Sequence, residues 1–258
     1  MQKFNSDGVE IAFEVWGEGP PVLLIHGFAS NMQVNWVATG WVKTLVGAGH
    51  KVIAIDNRGH GESQKLYDPN QYSAPVMADD AARLLRHLGI PQADVMGYSM
   101  GARITAFLVM QHPQLVCRAV FAGLASRMIS GVGGSDEIAA AMEAPSRAEV
   151  TNRMALGFRV FAEQTQSDLK ALAACIRSSR VKIKAEALAA ITAPVLVVAG
   201  ELDDVAGDVA GLTSIIPGSK GVVLPKRNHM NAVGDSGYKA AVVEFLNAGG
   251  VAVSPASP

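Results

Sequence analysis

The stretch Gly97-Tyr98-Ser99-Met100-Gly101 constrains this chain more than any other. It stands between a short apolar run at 94–96 and a helix-like pattern over 102–111. A G-x-S-x-G sequence between a strand and a helix forces a very sharp turn. The serine backbone is strained there, and side chains two positions either side would strike the neighbouring strand and helix, so glycines occupy those places. The turn lifts Ser99 Oγ clear of the sheet and sets it at a helix N-terminus, where a developing negative charge is stabilised. Gly and Ser are common, so the pentapeptide gains meaning only from what else the chain supplies.

The 258 residues suit one α/β domain, and 49% hydrophobic against 17% charged content suits a large core. A net charge of −1 gives no electrostatic case for nucleic acid or an anionic membrane. No apolar run approaches the ~20 residues of a membrane span. The first seven residues have no apolar signal-like core, so no secretory leader is expected. Cys117 and Cys175 make no disulfide framework; each reads as a buried free thiol, which fits a cytoplasmic setting.

Along the chain, Ile11, Phe13 and Val15 alternate with Ala12, Glu14 and Trp16 after a Ser6-Asp7-Gly8 turn, which predicts an N-terminal antiparallel hairpin. Short apolar runs follow at 22–25, 52–55, 95–96, 119–122, 195–199 and 222–224, the pattern of strands buried on both faces. Helical spacing appears over 77–87, 102–111 and 236–247, the last with Ala240, Val243 and Leu246 on one side. Alternation of the two predicts a doubly wound, mostly parallel α/β sheet. Between 126 and 190 no convincing strand occurs, and helices are expected near 136–143, 147–163 and 167–178. The expected division is a core of 1–125 and 191–248, a helical cap of 126–190 over the crevice at the C-terminal sheet edge, and a frayed tail of 249–258.

A serine nucleophile needs a base, and the base needs an orienting acid. After Ser99 the histidines are His112, beside Pro113 at a helix end, and His229, in the loop before the final helix. His229 is the expected base. Glu201, Asp203 and Asp204 compete for the acid in the loop after the 195–199 run, and Asp203 is preferred because it can fold back toward the sheet edge. An oxyanion hole is expected from the backbone N–H groups of Met100, next after the serine, and Phe28, in the loop His26-Gly27-Phe28-Ala29-Ser30. His26 precedes the serine and reads as a structural loop histidine. The histidines lack zinc-ligand spacing and no phosphate-binding loop is present, so neither metal nor cofactor is expected.

Taken together, His26-Gly27-Phe28, Asp56-Asn57-Arg58-Gly59-His60-Gly61-Glu62-Ser63, the Ser99 pentapeptide, Gly200-Glu201-Leu202-Asp203 and Asn228-His229 resemble the α/β-hydrolase superfamily over nearly the whole chain. The resemblance extends to its ester- and lactone-hydrolysing, C–C-bond-hydrolysing and cofactor-free haloperoxidase or perhydrolase branches. It implies a Ser99–His229–Asp203 triad acting through an acyl-enzyme on a small-molecule substrate. Two departures stand out: Ala102 where many members carry a third Gly, and Asn228 where Gly usually precedes the base. Expected pocket residues are Phe28, Met32, Trp36, Met100, Met128, Phe158, Phe161 and Met230, with Arg127, Arg153 and Arg159 as candidates to meet a substrate carboxylate. Four readings follow: ester or lactone hydrolase, C–C hydrolase of a vinylogous diketone, perhydrolase, and a ligand receptor on the same fold.

Overall fold

Side-chain alternation along the strands builds a sheet with a core on each face. In the computed structural model, which describes residues 1–248, eight strands lie in the order β1-β2-β4-β3-β5-β6-β7-β8. They are β1 (Gln2–Ser6), β2 (Val9–Trp16), β3 (Pro21–Ile25), β4 (Lys51–Ile55), β5 (Ala93–Tyr98), β6 (Val116–Ala122), β7 (Val195–Gly200) and β8 (Lys220–Leu224). β1 and β2 form the expected antiparallel hairpin around Asp7-Gly8, β2 pairs antiparallel with β4, and the remaining pairs are parallel. In β3, Leu23 and Ile25 enter one core while Val22 and Leu24 enter the other; β4, β6 and β7 repeat this division. Burial on both faces is why these strands read as continuous apolar runs. The predicted tail at 249–258 lies outside the described residues.

Ten α-helices accompany the sheet among the described residues: α1 (Trp41–Gly47), α2 (Ala74–His87), α3 (Met100–Gln111), α4 (Arg127–Ser130), α5 (Ser135–Glu143), α6 (Arg153–Gln164), α7 (Leu169–Ser178), α8 (Ala185–Ala189), α9 (Val209–Thr213) and α10 (Ser236–Asn247). Caps set the starts. Ser73 Oγ accepts from the Val76 N–H ahead of α2, and Asp168 Oδ1 accepts from Ala171 N–H ahead of α7. The single helix expected over 147–163 is two pieces, a 3₁₀ turn (Arg147–Glu149) and α6, because Asn152 caps a fresh helix through the Ala155 N–H at 3.0 Å. α10 also differs from expectation. Its buried stripe is Tyr238, Val242, Phe245 and Leu246, so the large aromatics rather than Ala240 and Val243 choose the face. Tyr238 packs edge-on against Trp41 at 4.5 Å, and the Trp41 indole N–H donates to the Val233 carbonyl at 2.6 Å.

α4 to α8 fill the strandless segment between β6 and β7. This segment is tied to the sheet side by Thr165 Oγ1, which donates to the Ala29 carbonyl at 2.9 Å, and by Tyr67 Oη, which donates to Asp168 at 3.0 Å. Cys175 is buried in α7 as expected, but Cys117 is exposed: β6 begins at the sheet's lower rim, where its second residue faces solvent. No described helix is long and apolar enough to cross a membrane.

The strand order decides where a site can form. From β3 the chain moves one way to β4, then returns past β3 to β5 on its other side. The loops leaving β3 and β5 therefore diverge from neighbouring strand ends and leave a crevice between them.

Candidate active site

Ser99 sits at that crevice with φ 55° and ψ −111°, a strained backbone for a residue with a side chain. The glycines around it are sterically required. A Cβ on Gly97 would lie 2.1 Å from the Gly101 carbonyl oxygen, and one on Gly101 would lie 1.9 Å from the Ile25 carbonyl oxygen. The turn is locked by the Ser99 N–H, which donates to the Ala122 carbonyl of β6 at 2.7 Å.

Three side chains from distant parts of the chain are hydrogen bonded in series. His229 Nε2 lies 3.0 Å from Ser99 Oγ, and His229 Nδ1 lies 2.9 and 3.0 Å from the two Asp203 oxygens. Asp203 is buried, and its Oδ1 also accepts the Val205 and Ala206 N–H groups at 3.0 Å each. These bonds hold the carboxylate in place and aim it at the imidazole. The competing acids are turned outward: Asp204 is exposed, and Glu201 accepts the Lys226 N–H at the surface. His112 is bonded to Asp79 at 2.7 Å, far from this crevice in the fold's order.

The loop carrying His229 is shaped by the residue that departs from the usual glycine. Asn228 Oδ1 accepts the Met230 and Asn231 N–H groups at 3.0 Å each, while Asn228 N–H donates to Asn231 Oδ1 at 2.7 Å. An Asx turn thus does locally what a flexible backbone would do elsewhere. Tyr98 Oη donates to the His229 carbonyl at 2.6 Å and fixes the loop from the strand side.

The backbone N–H groups of Phe28 and Met100 have no protein acceptor among the described residues. Gly27 brings the first of them close to the serine, since a Cβ there would be 3.4 Å from Ser99 Cβ. Asn35 Oδ1 holds this loop by accepting the Gly27 N–H at 3.2 Å. His26 is buried behind it as a structural residue: its Nε2 accepts the Asn57 N–H at 3.0 Å, which leaves the proton on Nδ1 to donate to the Gly27 carbonyl at 2.8 Å.

A cavity of about 210 Å³ opens beside Ser99 and His229. Of the expected pocket residues, Phe28, Phe158, Phe161 and Met230 line it. Met100 instead lines a second, smaller cavity that also touches Phe28, Ser99 and Phe158. Met32, Trp36 and Met128 do not line either. Met32 and Trp36 point into the core between the sheet and α1, and Met128 into the core beneath the α4–α8 segment, all fully buried. They are corrected to packing residues; an apolar side chain in a loop near a crevice reads the same in sequence whether it faces inward or outward. The three candidate arginines also fall away. Arg127 and Arg153 are exposed, and Arg159 is buried against Glu163 at 2.8 Å and the Ala141 carbonyl at 2.6 Å. The sequence reading missed Asn35 and Tyr98 here, because nothing in their local pattern separates a wall residue from a core residue.

Residues 20–130 match a family model described as alpha/beta hydrolase fold. A non-heme chloroperoxidase of Kitasatospora aureofaciens is 39% identical over 106 residues, 41% of this chain; the chain spans only 37% of that relative's length. Among solved structures, a hydrolase from Pseudomonas aeruginosa PA01 superposes with a TM-score of 0.80 at 24% identity, covering 95% of this chain and 98% of the other. An enol-lactonase from Burkholderia xenovorans LB400 gives 0.78 at 20% identity, covering 95% and 99%. The sheet order, the Ser99 turn and these matches together show that the chain has the α/β-hydrolase fold.

Proposed function

We propose that this protein is a serine hydrolase of small carboxylic esters or lactones, working through an acyl-enzyme. The observation that carries the reading is the unbroken hydrogen-bonded series Ser99–His229–Asp203, set opposite two unspent backbone N–H groups. In the first step Ser99 Oγ attacks the acyl carbonyl carbon while His229 Nε2 takes its proton. Asp203 keeps the imidazole oriented and stabilises the imidazolium. The Phe28 and Met100 N–H groups meet the oxyanion, a contribution of about 10²–10³ in rate per donor. His229 then gives its proton to the departing alkoxide, and the C–O bond breaks. Water, deprotonated by His229, attacks the acyl-serine and returns Ser99 to its starting state.

A serine nucleophile argues for carbonyl substrates. Attack on a saturated carbon would leave a serine ether, with no carbonyl for water to attack in the second step. The walls beside Ser99 and His229, chiefly Phe28, Phe158, Phe161 and Met230, favour an apolar leaving group. The same acyl-serine offers hydrogen peroxide a carbonyl, which would release a peracid in place of the acid. Likeness to the non-heme chloroperoxidase favours this second reading. Free Cys117 and Cys175 fit a reducing, cytoplasmic setting.

The test is labelling with a fluorophosphonate probe alongside turnover of an aryl ester, a lactone and a dienone diketone, with and without peroxide. Ester or lactone turnover and Ser99 labelling, both lost in Ser99→Ala, are expected. Ester turnover persisting in that variant, or binding without turnover of any substrate, would overturn the reading.

A further inference from the structure

The smaller cavity, about 30 Å³, touches Ser99 and Met100 but not His229. His229 must protonate the leaving group, so the leaving group belongs in the larger cavity that His229 lines. The smaller one is then the acyl side. Its walls include Arg103 from α3 and Arg180 just beyond α7.

These two guanidiniums are unusual within this molecule. The buried Arg58 and Arg159 have carboxylate partners: Arg58 pairs with Asp80 at 2.7 Å, and Arg159 with Glu163 at 2.8 Å. Arg103 is buried at 2% exposure, yet its bonds go only to the carbonyls of Arg127, Met128 and Val181. Half-buried Arg180 donates Nη1 to the Gly133 carbonyl and lies 6.0 Å over the Phe158 ring. Its Nε and Nη2 have no protein acceptor among the described residues. Burial and the nearby Arg180 push Arg103 down to about 10, and burial pushes Arg180 down to about 10, the direction expected for cations short of an anion. A buried charge is costly unless it is paired. A planar guanidinium with free donors is the side chain suited to gripping a carboxylate at two points. A cavity of this size is filled by about one small polar group.

We propose that the acyl part of the substrate ends in a carboxylate, held in this cavity by Arg180, with Arg103 supplying a second positive charge behind it. The favoured substrates are then monoesters or lactones derived from short dicarboxylic acids. Arg180 also lines a wide outer groove of about 620 Å³ together with Lys182, which adds positive charge beside it. The proposal rests on the serine-hydrolase reading for the placement of the acyl side.

The experiment compares monophenyl glutarate with phenyl butyrate in the wild type and in Arg180→Met and Arg180→Lys. The wild type is expected to prefer the acid ester in kcat/KM. That preference should fall tenfold or more in Arg180→Met, mainly through KM, and be partly kept in Arg180→Lys. An equal loss on both esters, or a wild-type preference for phenyl butyrate, overturns the proposal. Calorimetric binding of monophenyl glutarate to Ser99→Ala separates the two readings. Tight binding that Arg180→Met removes, in a protein whose wild type cleaves neither ester, would keep the anion site and reject the hydrolase reading. No preference for monophenyl glutarate over phenyl butyrate in this binding assay would reject the anion site alone.

Discussion

Tyr98 Oη donates a 2.6 Å hydrogen bond to the carbonyl of His229, with the two rings 5.4 Å apart. The residue immediately before the candidate nucleophile therefore holds the candidate base, across 131 positions of sequence. The strand that aims Ser99 thus also helps to aim His229, alongside the Asp203 bonds and the Asn228 turn. Tyr98→Phe removes only the hydroxyl. It should cost about 1 kcal/mol of stability and lower kcat about tenfold by loosening a reacting geometry, with little change in KM. Steady-state kinetics with a thermal melt checks this; a loss confined to KM would point to substrate contact instead.

Asp203 and Asp204 are adjacent but differently placed. Asp203 is buried and bonded to His229, and Asp204 is exposed. Asp203→Asn should lower kcat by about 10²–10⁴ by misorienting the imidazole, whereas Asp204→Asn should stay within about twofold. Ester hydrolysis by the two purified variants decides it, and the reverse ranking would reassign the acid.

Gly101 has no room for a methyl group, since the added Cβ would lie 1.9 Å from the Ile25 carbonyl oxygen and 2.8 Å from that of His26. Both contacts are backbone, which cannot swing aside. Gly101→Ala should destabilise by more than about 3 kcal/mol, and a melt would show a large drop. Gly47, with open space around its missing Cβ, serves as the control: Gly47→Ala in α1 should be neutral or slightly stabilising.

Acid should weaken the fold through the two histidines behind the Phe28 loop. Burial lowers His26 from its ordinary 6.5 to about 4, and lowers His60 to about 3. Above pH 6.5 folded and unfolded chains both carry them neutral, so they contribute no pH dependence. As pH falls from 6.5 toward 4, the unfolded chain binds protons that the folded chain cannot, and stability declines. Protonation of His26 would also break the Asn57 N–H bond to Nε2. Asp56 opposes this at the low end, because burial raises its carboxyl and the folded state gains that proton earlier. Urea unfolding from pH 7 to 4.5 should show falling stability, with a shallower slope in His60→Asn. A flat wild-type profile would contradict it.

Much of the fold was legible locally. Short apolar runs with few charges marked the parallel strands, and the alternation of 11, 13 and 15 marked the hairpin, because burial on two faces or one leaves a pattern in the residues themselves. The order Ser99, Asp203, His229 was legible for a related reason: each follows a strand end, and those ends share one edge of the sheet. Helix starts were less so, since Asn152 broke one predicted helix through a side-chain cap that competes with helix continuation.

The sequence alone determined the strand-turn-helix at Ser99, because only glycines at 97 and 101 let a chain make that turn beside Ile25. It did not determine which side chains face the crevice. Met32, Trp36 and Met128 were expected there and lie in the cores, while Asn35, Tyr98, Arg103 and Arg180 line the site unannounced. Only the tertiary structure decided this. Whether an apolar residue faces a core or a pocket, and whether an arginine finds a carboxylate or only carbonyls, depends on neighbours far away in sequence.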